Sequence, residues 1–148
     1  MDGIDMAIET MRIKLADIKS KISQCRKKGF DTKIAELRIA GIPARIKLLE
    51  ATREIKEVSV ISLMLQDAAA ETDEAEKNGE EQKKNVEYDL LVEQIIEAAD
   101  SGLEELKYHN INKAKECYTN ALGKYNSLPD ERKKEVREQL EKLRNKLS

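Results

Sequence analysis

Seven apolar residues, Ile4, Ile8, Met11, Leu15, Ile18, Ile22 and Cys25, follow one another at intervals of 4, 3, 4, 3, 4 and 3. A repeat averaging 3.5 residues draws one stripe along a straight helix and leaves the other faces polar. Such a stripe is stable only when another helix covers it, either from later in the chain or from a second copy. The helix it predicts, over about residues 3 to 28, is roughly 38 Å long. Gly29 then tolerates a left-handed backbone, and Phe30 is placed to fold back on the last turn. The turn "GFDT" is short and returns the chain antiparallel, which favours an intramolecular cover. The alternative makes Ile4, Ile8, Met11, Leu15, Ile18 and Ile22 a self-association seam between two copies.

Asp31 or Thr32 can cap a second helix, with Ile34, Leu37 and Ile42 continuing the facing pattern. Pro43 removes a donor and clashes one turn back, so the segment is either kinked or broken into two helices there, and the pattern that resumes at once favours a kink. The pattern resumes with Ile46, Leu49, Ile55 and Val58, and this helix is predicted to run to about Lys77. "VSVIS" is locally ambiguous between strand and helix, but a lone strand has no pairing partner elsewhere in the chain. Residues 1–77 therefore read as a long antiparallel helical hairpin kinked near Pro43.

In "ETDEAEKNGEEQKKN" apolar residues nearly vanish, and Asn78 and Gly79 offer a helix stop. Residues 78–85 are expected to be a polar linker, or else one helix running through. Residues 86–148 read as three helices. Val86, Leu91, Ile95, Ala98, Ala99, Gly102 and Leu106 share a broad face of the first, and Ala114, Cys117, Tyr118, Ala121, Leu122 and Tyr125 mark the second. Ser127, Pro129 and Asp130 form a capping-box-like start to the third, whose seam is Val136, Leu140, Leu143 and Leu147. The fold class is all-α: an N-terminal hairpin plus a C-terminal three-helix unit.

Several function classes lose support at this stage. Trp is absent, Phe occurs once and Tyr four times, so an aromatic-lined ligand pocket is hard to build. From Glu71 to Leu106 there are 13 acidic against 3 basic residues, and from Lys107 to Ser148 there are 6 against 11. No basic stripe is interleaved with stacking aromatics, which argues against nucleic acid as a partner. "VSVISLMLQDAAA" falls well short of the roughly 20 apolar residues of a membrane span, so no membrane insertion is expected. "MDGIDMAIET" lacks a basic region followed by an apolar run, and a cytoplasmic location is expected. Cys25 and Cys117 stand far apart on apolar helical positions and read as free buried thiols.

Catalytic, metal and cofactor-binding residues are not assigned. The single histidine, His109, falls in the interhelix loop "KYHNIN", and the residue three places before it is Leu106. The Glu-x-x-His pairs of a di-metal bundle are thus missing, as are a Gly-rich phosphate loop and a GxSxG turn. A third hypothesis, an enzyme using glutamates around a metal, would have to rely on carboxylates alone.

Ala114, Tyr118 and Ala121 have the spacing of the small, aromatic and small residues in the second helix of a tetratricopeptide repeat. Ile111 stands where that repeat has its Tyr, and Gly102 where its first helix has a glycine. Residues 95–129 therefore resemble one such repeat. The large first-helix residues of the family are replaced by Ala98, Ser101 and Glu105, Pro129 lies about one turn late, and no second copy follows. A single hairpin closed by Val136 to Leu147 is also similar to the three-helix MIT domains, which bind amphipathic helices in their interhelical grooves. These resemblances imply a protein-binding module or adaptor whose partner is another protein, an amphipathic helix among the candidates. Tyr108, Lys115, Tyr118 and Tyr125 are the candidate contacts, because amphipathic aromatics and long cations anchor interfaces and stay soluble. A structural homo-oligomer or homodimer built on the first-helix seam is the competing expectation.

Overall fold

In the computed structural model, which describes residues 2–148, the first helix is α1, Gly3–Lys27. The Asp5 backbone N–H donates to the Asp2 carboxylate at 2.9 Å and caps its start. At its end Gly29 takes φ +80°, and the Phe30 N–H reaches back to the Cys25 carbonyl at 3.0 Å. This is a Schellman stop, and it turns the chain sharply. The helices that follow are α2 (Lys33–Ala40), α3 (Ile42–Thr52), α4 (Ile55–Lys107), α5 (Ile111–Asn126), α6 (Asp130–Lys133) and α7 (Arg137–Leu147). The fold is all-α, without a strand among the described residues. Packing divides the chain into an N-terminal unit, Met1–Gln82, and a C-terminal unit, Lys83–Ser148.

In the N-terminal unit the α1 stripe is covered by its own chain. Ile8, Met11, Leu15, Ile18 and Ile22 pack with Ala35 of α2, Ile42, Ile46 and Leu49 of α3, and Ile61, Leu65 and Ala68 of α4, while Ile4 is partly buried beside them. Ion pairs report the directions. Arg26 meets Glu36 at 3.0 Å while Arg53 meets Asp5 at 3.1 Å, so α2 and α3 run antiparallel to α1. Lys21 pairs with Asp73 and Lys28 with Glu80, so the first half of α4 runs parallel to α1.

Two expectations are corrected here. The helix predicted to run on to Lys77 breaks at Arg53, which adopts φ +53°, and the expected two-helix hairpin becomes a three-layered bundle. An arginine gives no sequence signal for a left-handed backbone; it is held there by ion pairs to Asp2 and Asp5 at the start of α1. Ile34 and Leu37 face solvent instead of the core. The covered positions are Ala35, Ile39, Ile42, Ile46 and Leu49, spaced 4, 3, 4 and 3 straight through the interruption at Gly41. The phase survives because Gly41 keeps a right-handed helical backbone and the Arg45 N–H still reaches its carbonyl at 3.3 Å.

Of the two alternatives for residues 78–85 the structure shows the continuous helix: Asn78 and Gly79 are helical, and α4 passes through without a break. Ile61, Leu65, Ala68, Thr72, Ala75 and Gly79 continue one seam at spacings of 4, 3, 4, 3 and 4. Gly79 is its last covered position, and a Cβ there would come within 2.2 Å of the Phe30 ring. The glycine that looked like punctuation is a seat for an aromatic side chain.

In the C-terminal unit Ile95, Ala121, Leu128, Val136 and Leu140 form the core, with Leu91, Val92, Tyr118 and Tyr125 packed against it. Gly102 again marks a close approach: a Cβ there would lie 2.7 Å from Leu143 and 3.3 Å from the Cys117 Cβ. Val86, expected on the covered face, is exposed. The expected last helix is split into α6 and α7 by a turn over residues 134–136 that buries Val136. Ser127 does not cap it; its hydroxyl donates back to the Gly123 carbonyl at 3.4 Å, closing α5. Arg132 of α6 is tied to Asp89 of α4 and to Glu135.

Two outcomes follow from this packing. Gly79→Ala should lower the thermal midpoint although alanine favours a helix by about 1 kcal/mol, and the same change in a Phe30→Ala background should raise it; equal effects in both backgrounds would remove the aromatic seat. The Asp2 carboxyl is held below the ordinary aspartate range, first by the Asp5 N–H and then by the Arg53 guanidinium. A lowered folded-state value contributes stability above the unfolded-state value and loses it as pH falls through the folded-state one. Thermal melts of Asp2→Ala should therefore lie below those of the wild-type chain at neutral pH and converge with them as Asp2 protonates in acid.

Candidate functional site

The end of α4 is set by His109. Its backbone takes φ +63°, its N–H reaches the Leu106 carbonyl at 3.1 Å, and the Asn110 N–H reaches the Glu105 carbonyl at 2.9 Å. This is the same stop that closes α1, with a histidine where α1 has a glycine. The Asn110 side chain donates to the Glu105 carboxylate at 2.7 Å and braces the turn. The stop directs α5 back across α4, and Ala114 and Ala121, both fully covered, let the two helices approach closely.

Two concave surfaces result within this unit. The larger, an open groove of about 940 Å³, lies along the last turns of α4 and the last turns of α7. Leu103, Leu106 and Ile111 supply its apolar surface, and Lys107, Lys142 and Lys146 stand around it with Asp100 and Glu104. Ile111 is 52% exposed although it is branched and wholly apolar. The smaller surface lies between α5 and α7 and is lined by Tyr118, Leu122, Tyr125, Arg137, Leu140 and Arg144.

The expected contact residues fall into three places. Tyr118 and Tyr125 come together on the smaller surface, where both also pack against the core. The Lys133 ammonium sits 5.4 Å from the Tyr125 ring centre, and Arg137 Nε donates to the Tyr125 hydroxyl at 3.4 Å. That hydroxyl raises the Arg137 value further above its already high range. Tyr108, 68% exposed, precedes the groove-lining His109 in sequence but lines neither surface itself, and Lys115, exposed on α5, lines neither as well. The six residues of the first-helix seam lie at the covered face of α1, so offering them to a second copy would require opening the N-terminal unit.

Leu103, Lys142 and Lys146 were passed over in the sequence because each fits an ordinary helix face. Only the packing of α7 beside the end of α4 brings them into one groove. Spacing could have pointed to Leu103, which stands three positions before Leu106 yet outside the face that Leu106 shares with Ile95, Ala99 and Gly102.

Burial pushes the Cys25 thiol up, which disfavours the thiolate needed for nucleophilic attack. Among the described residues no three His, Cys, Asp or Glu side chains converge as a metal site, and no helix is long and apolar enough to cross a membrane. Comparison with protein-family models, with curated proteins and with solved structures finds no match for this chain.

The His109 stop yields a direct test. A non-glycine residue in the left-handed region costs roughly 1 kcal/mol, so His109→Gly should raise the thermal midpoint by a few degrees. A lowered midpoint would mean that the imidazole makes compensating contacts.

Proposed function

We propose that the chain is a non-enzymatic protein-interaction module or adaptor of the cytoplasm, and that the groove along the ends of α4 and α7 receives an apolar-faced helix of a partner protein. One observation carries this reading: Leu103, Leu106 and Ile111 line one open groove together with lysines and carboxylates, and Ile111 is 52% exposed. Apolar floor with charged rim is the anatomy of protein interfaces, whereas enclosed, mostly apolar cavities serve small molecules.

The close crossing of α4 and α5 at Gly102, Ala114 and Ala121 supports the likeness to a tetratricopeptide hairpin, closed by α7 instead of by a second repeat. A closing helix restricts recognition to the grooves of one small unit. The unpaired thiols of Cys25 and Cys117 suit a reducing compartment. Of the four contact residues read from the sequence, Tyr108 fits this site best, because it neighbours His109 and is not committed to the core. Tyr118 and Tyr125 serve a second, shallower contact at most.

Crosslinking and affinity capture from the native host, with the full chain as bait, tests the assignment. Ile111→Glu, an exposed change that leaves the core untouched, should reduce recovery of the captured partner by about tenfold or more, the scale of losing one anchor. Tyr108→Ala should weaken recovery and Lys115→Ala should leave it near wild type. A partner recovered equally by the wild-type chain and by Ile111→Glu would remove the groove from the reading.

A further inference from the structure

The break between α3 and α4 has no local cause. Residues 49–57, "LEATREIKE", hold no glycine, proline or asparagine, and most are good helix formers. Yet Arg53 takes φ +53°, a backbone that is costly for a non-glycine residue and persists only where its surroundings enforce it. The enforcing contacts are exposed ion pairs at the start of α1, where the Arg53 guanidinium reaches Asp2 at 2.5 Å and Asp5 at 3.1 Å. A short, strained turn between two helices is an element through which chains exchange parts with a second copy.

Periodicity shows what a continuous helix would present. The outer line of α2–α3, Ile34, Leu37, Gly41, Ala44, Leu48 and Ala51, is spaced 3, 4, 3, 4 and 3, and all six residues are exposed. Carried past Arg53 at intervals of 4, 3, 3, 4 and 3, it runs through Ile55 and Val58 into Ile61, Leu65 and Ala68, the covered line of α4. Ile55, 76% exposed in the bent chain, is the link between the two halves. The bend at Arg53 thus divides one apolar line, leaving its first half wet and its second half dry.

The line is also self-complementary. With a two-fold axis between Glu54 and Ile55, two antiparallel copies of the continuous helix bring Leu37 level with Thr72 of the other copy, Leu48 with Ile61, and Ala51 with Val58. Lys33, Arg38, Arg45 and Lys47 flank the first half of the line, whereas Glu71 and Glu76 flank the second, so antiparallel copies set cations beside carboxylates. Only Glu54, at the axis, meets its own copy. Arg38 pairs with Glu71 at 3.8 Å within one chain, and the second copy repeats that register.

We infer that Arg53 and Glu54 form a hinge at which α3 and α4 join into one helix, and that this helix pairs antiparallel with a second copy of the chain along the line that begins at Ile34. In that form α1 stays on the inner line of its own α2–α3, through Ala35, Ile42 and Leu49. Ile61 and Leu65 exchange contact with α1 for contact with the other copy, while Ile34, Leu37, Leu48 and Ile55 become covered. One apolar contact replaces another, so protein concentration and the Arg53 ion pairs set the balance between the bent and paired forms. The inference stands apart from the α4–α7 groove, because it concerns the N-terminal unit and none of the same residues.

Sedimentation equilibrium of the full chain reads this balance. Asp2→Ala combined with Asp5→Ala removes the latch on Arg53; two chains open per dimer, so a gain of about threefold in each tightens the dimer about tenfold over wild type. Ile55→Pro places proline at the first position of α4, which the bent chain tolerates, but inside the continuous helix, which it breaks. In the double-variant background Ile55→Pro should abolish the dimer, as should Leu37→Asp, while Ile55→Ala, which keeps the helix, should weaken it far less. Both positions are exposed, and unchanged circular dichroism melts at low concentration establish that each variant is folded. Equal association of wild type and double variant, the absence of a dimer in both included, would overturn the inference. A dimer that survives Ile55→Pro would overturn it in favour of pairing without straightening, and one that survives Leu37→Asp would place the contact elsewhere.

Discussion

The apolar stripe on α1 has to be covered, and the N-terminal unit is organised by how that is done. One antiparallel neighbour would leave part of each side chain wet. Two neighbours, α3 from one side and α4 from the other, enclose Ile8, Met11, Leu15, Ile18 and Ile22 among Ile42, Ile46, Leu49, Ile61 and Leu65. Burying a large aliphatic side chain contributes roughly 2 kcal/mol, so the second neighbour is worth more than the propensity penalties of the turns that produce it. The left-handed backbone of Arg53 is one such penalty, of about 1 kcal/mol. Its guanidinium offsets part of it by pairing with Asp2 and Asp5, which ties the turn to the start of the helix it serves.

Glycine has opposite meanings at different places in the chain. Gly29 ends a helix by its positive φ. Gly79 and Gly102 lie inside α4, and each matters because a methyl group would collide with an arriving side chain, Phe30 from the turn after α1 and Leu143 from α7. Polar sequence around Gly79 made a boundary plausible, yet Glu, Gln and Lys are good helix formers and the Phe30 ring rewards continuity at that point. The stop at His109 shows the converse, since a helix ends there without a glycine by the same hydrogen bonds that end α1 at Gly29.

These packing decisions create the surfaces open to partners. The α4–α7 groove exists because α5 crosses α4 closely enough at Gly102 for α7 to lie beside the last turns of α4. Ile34, Leu37 and Leu48 stay exposed because the α2–α3 segment carries two apolar lines and the bundle uses the one through Ala35, Ile42 and Leu49. The large apolar side chains that remain exposed, such as Leu37 and Ile111, are those the two cores had no room for.

Periodicity alone determined that the chain is all-α, where α1 begins and ends, and that its seam needs cover, because a 3.5-residue apolar repeat with a glycine stop has one physical solution. The crossing at Ala114 and Ala121 was equally legible, since small residues two turns apart fix how near a neighbour can come. Sequence could not choose between the two seams of α2–α3: Ile34 with Leu37 and Ala35 with Ile39 are both valid helical lines, and only the position of α1 and α4 decides which is dry. Nor could it place the break at Arg53, because a left-handed arginine is stabilised by carboxylates about fifty residues earlier in the chain. Local preference is carried by neighbours in sequence, whereas coverage and long-range ion pairs depend on which helices meet, and tertiary structure alone decides that.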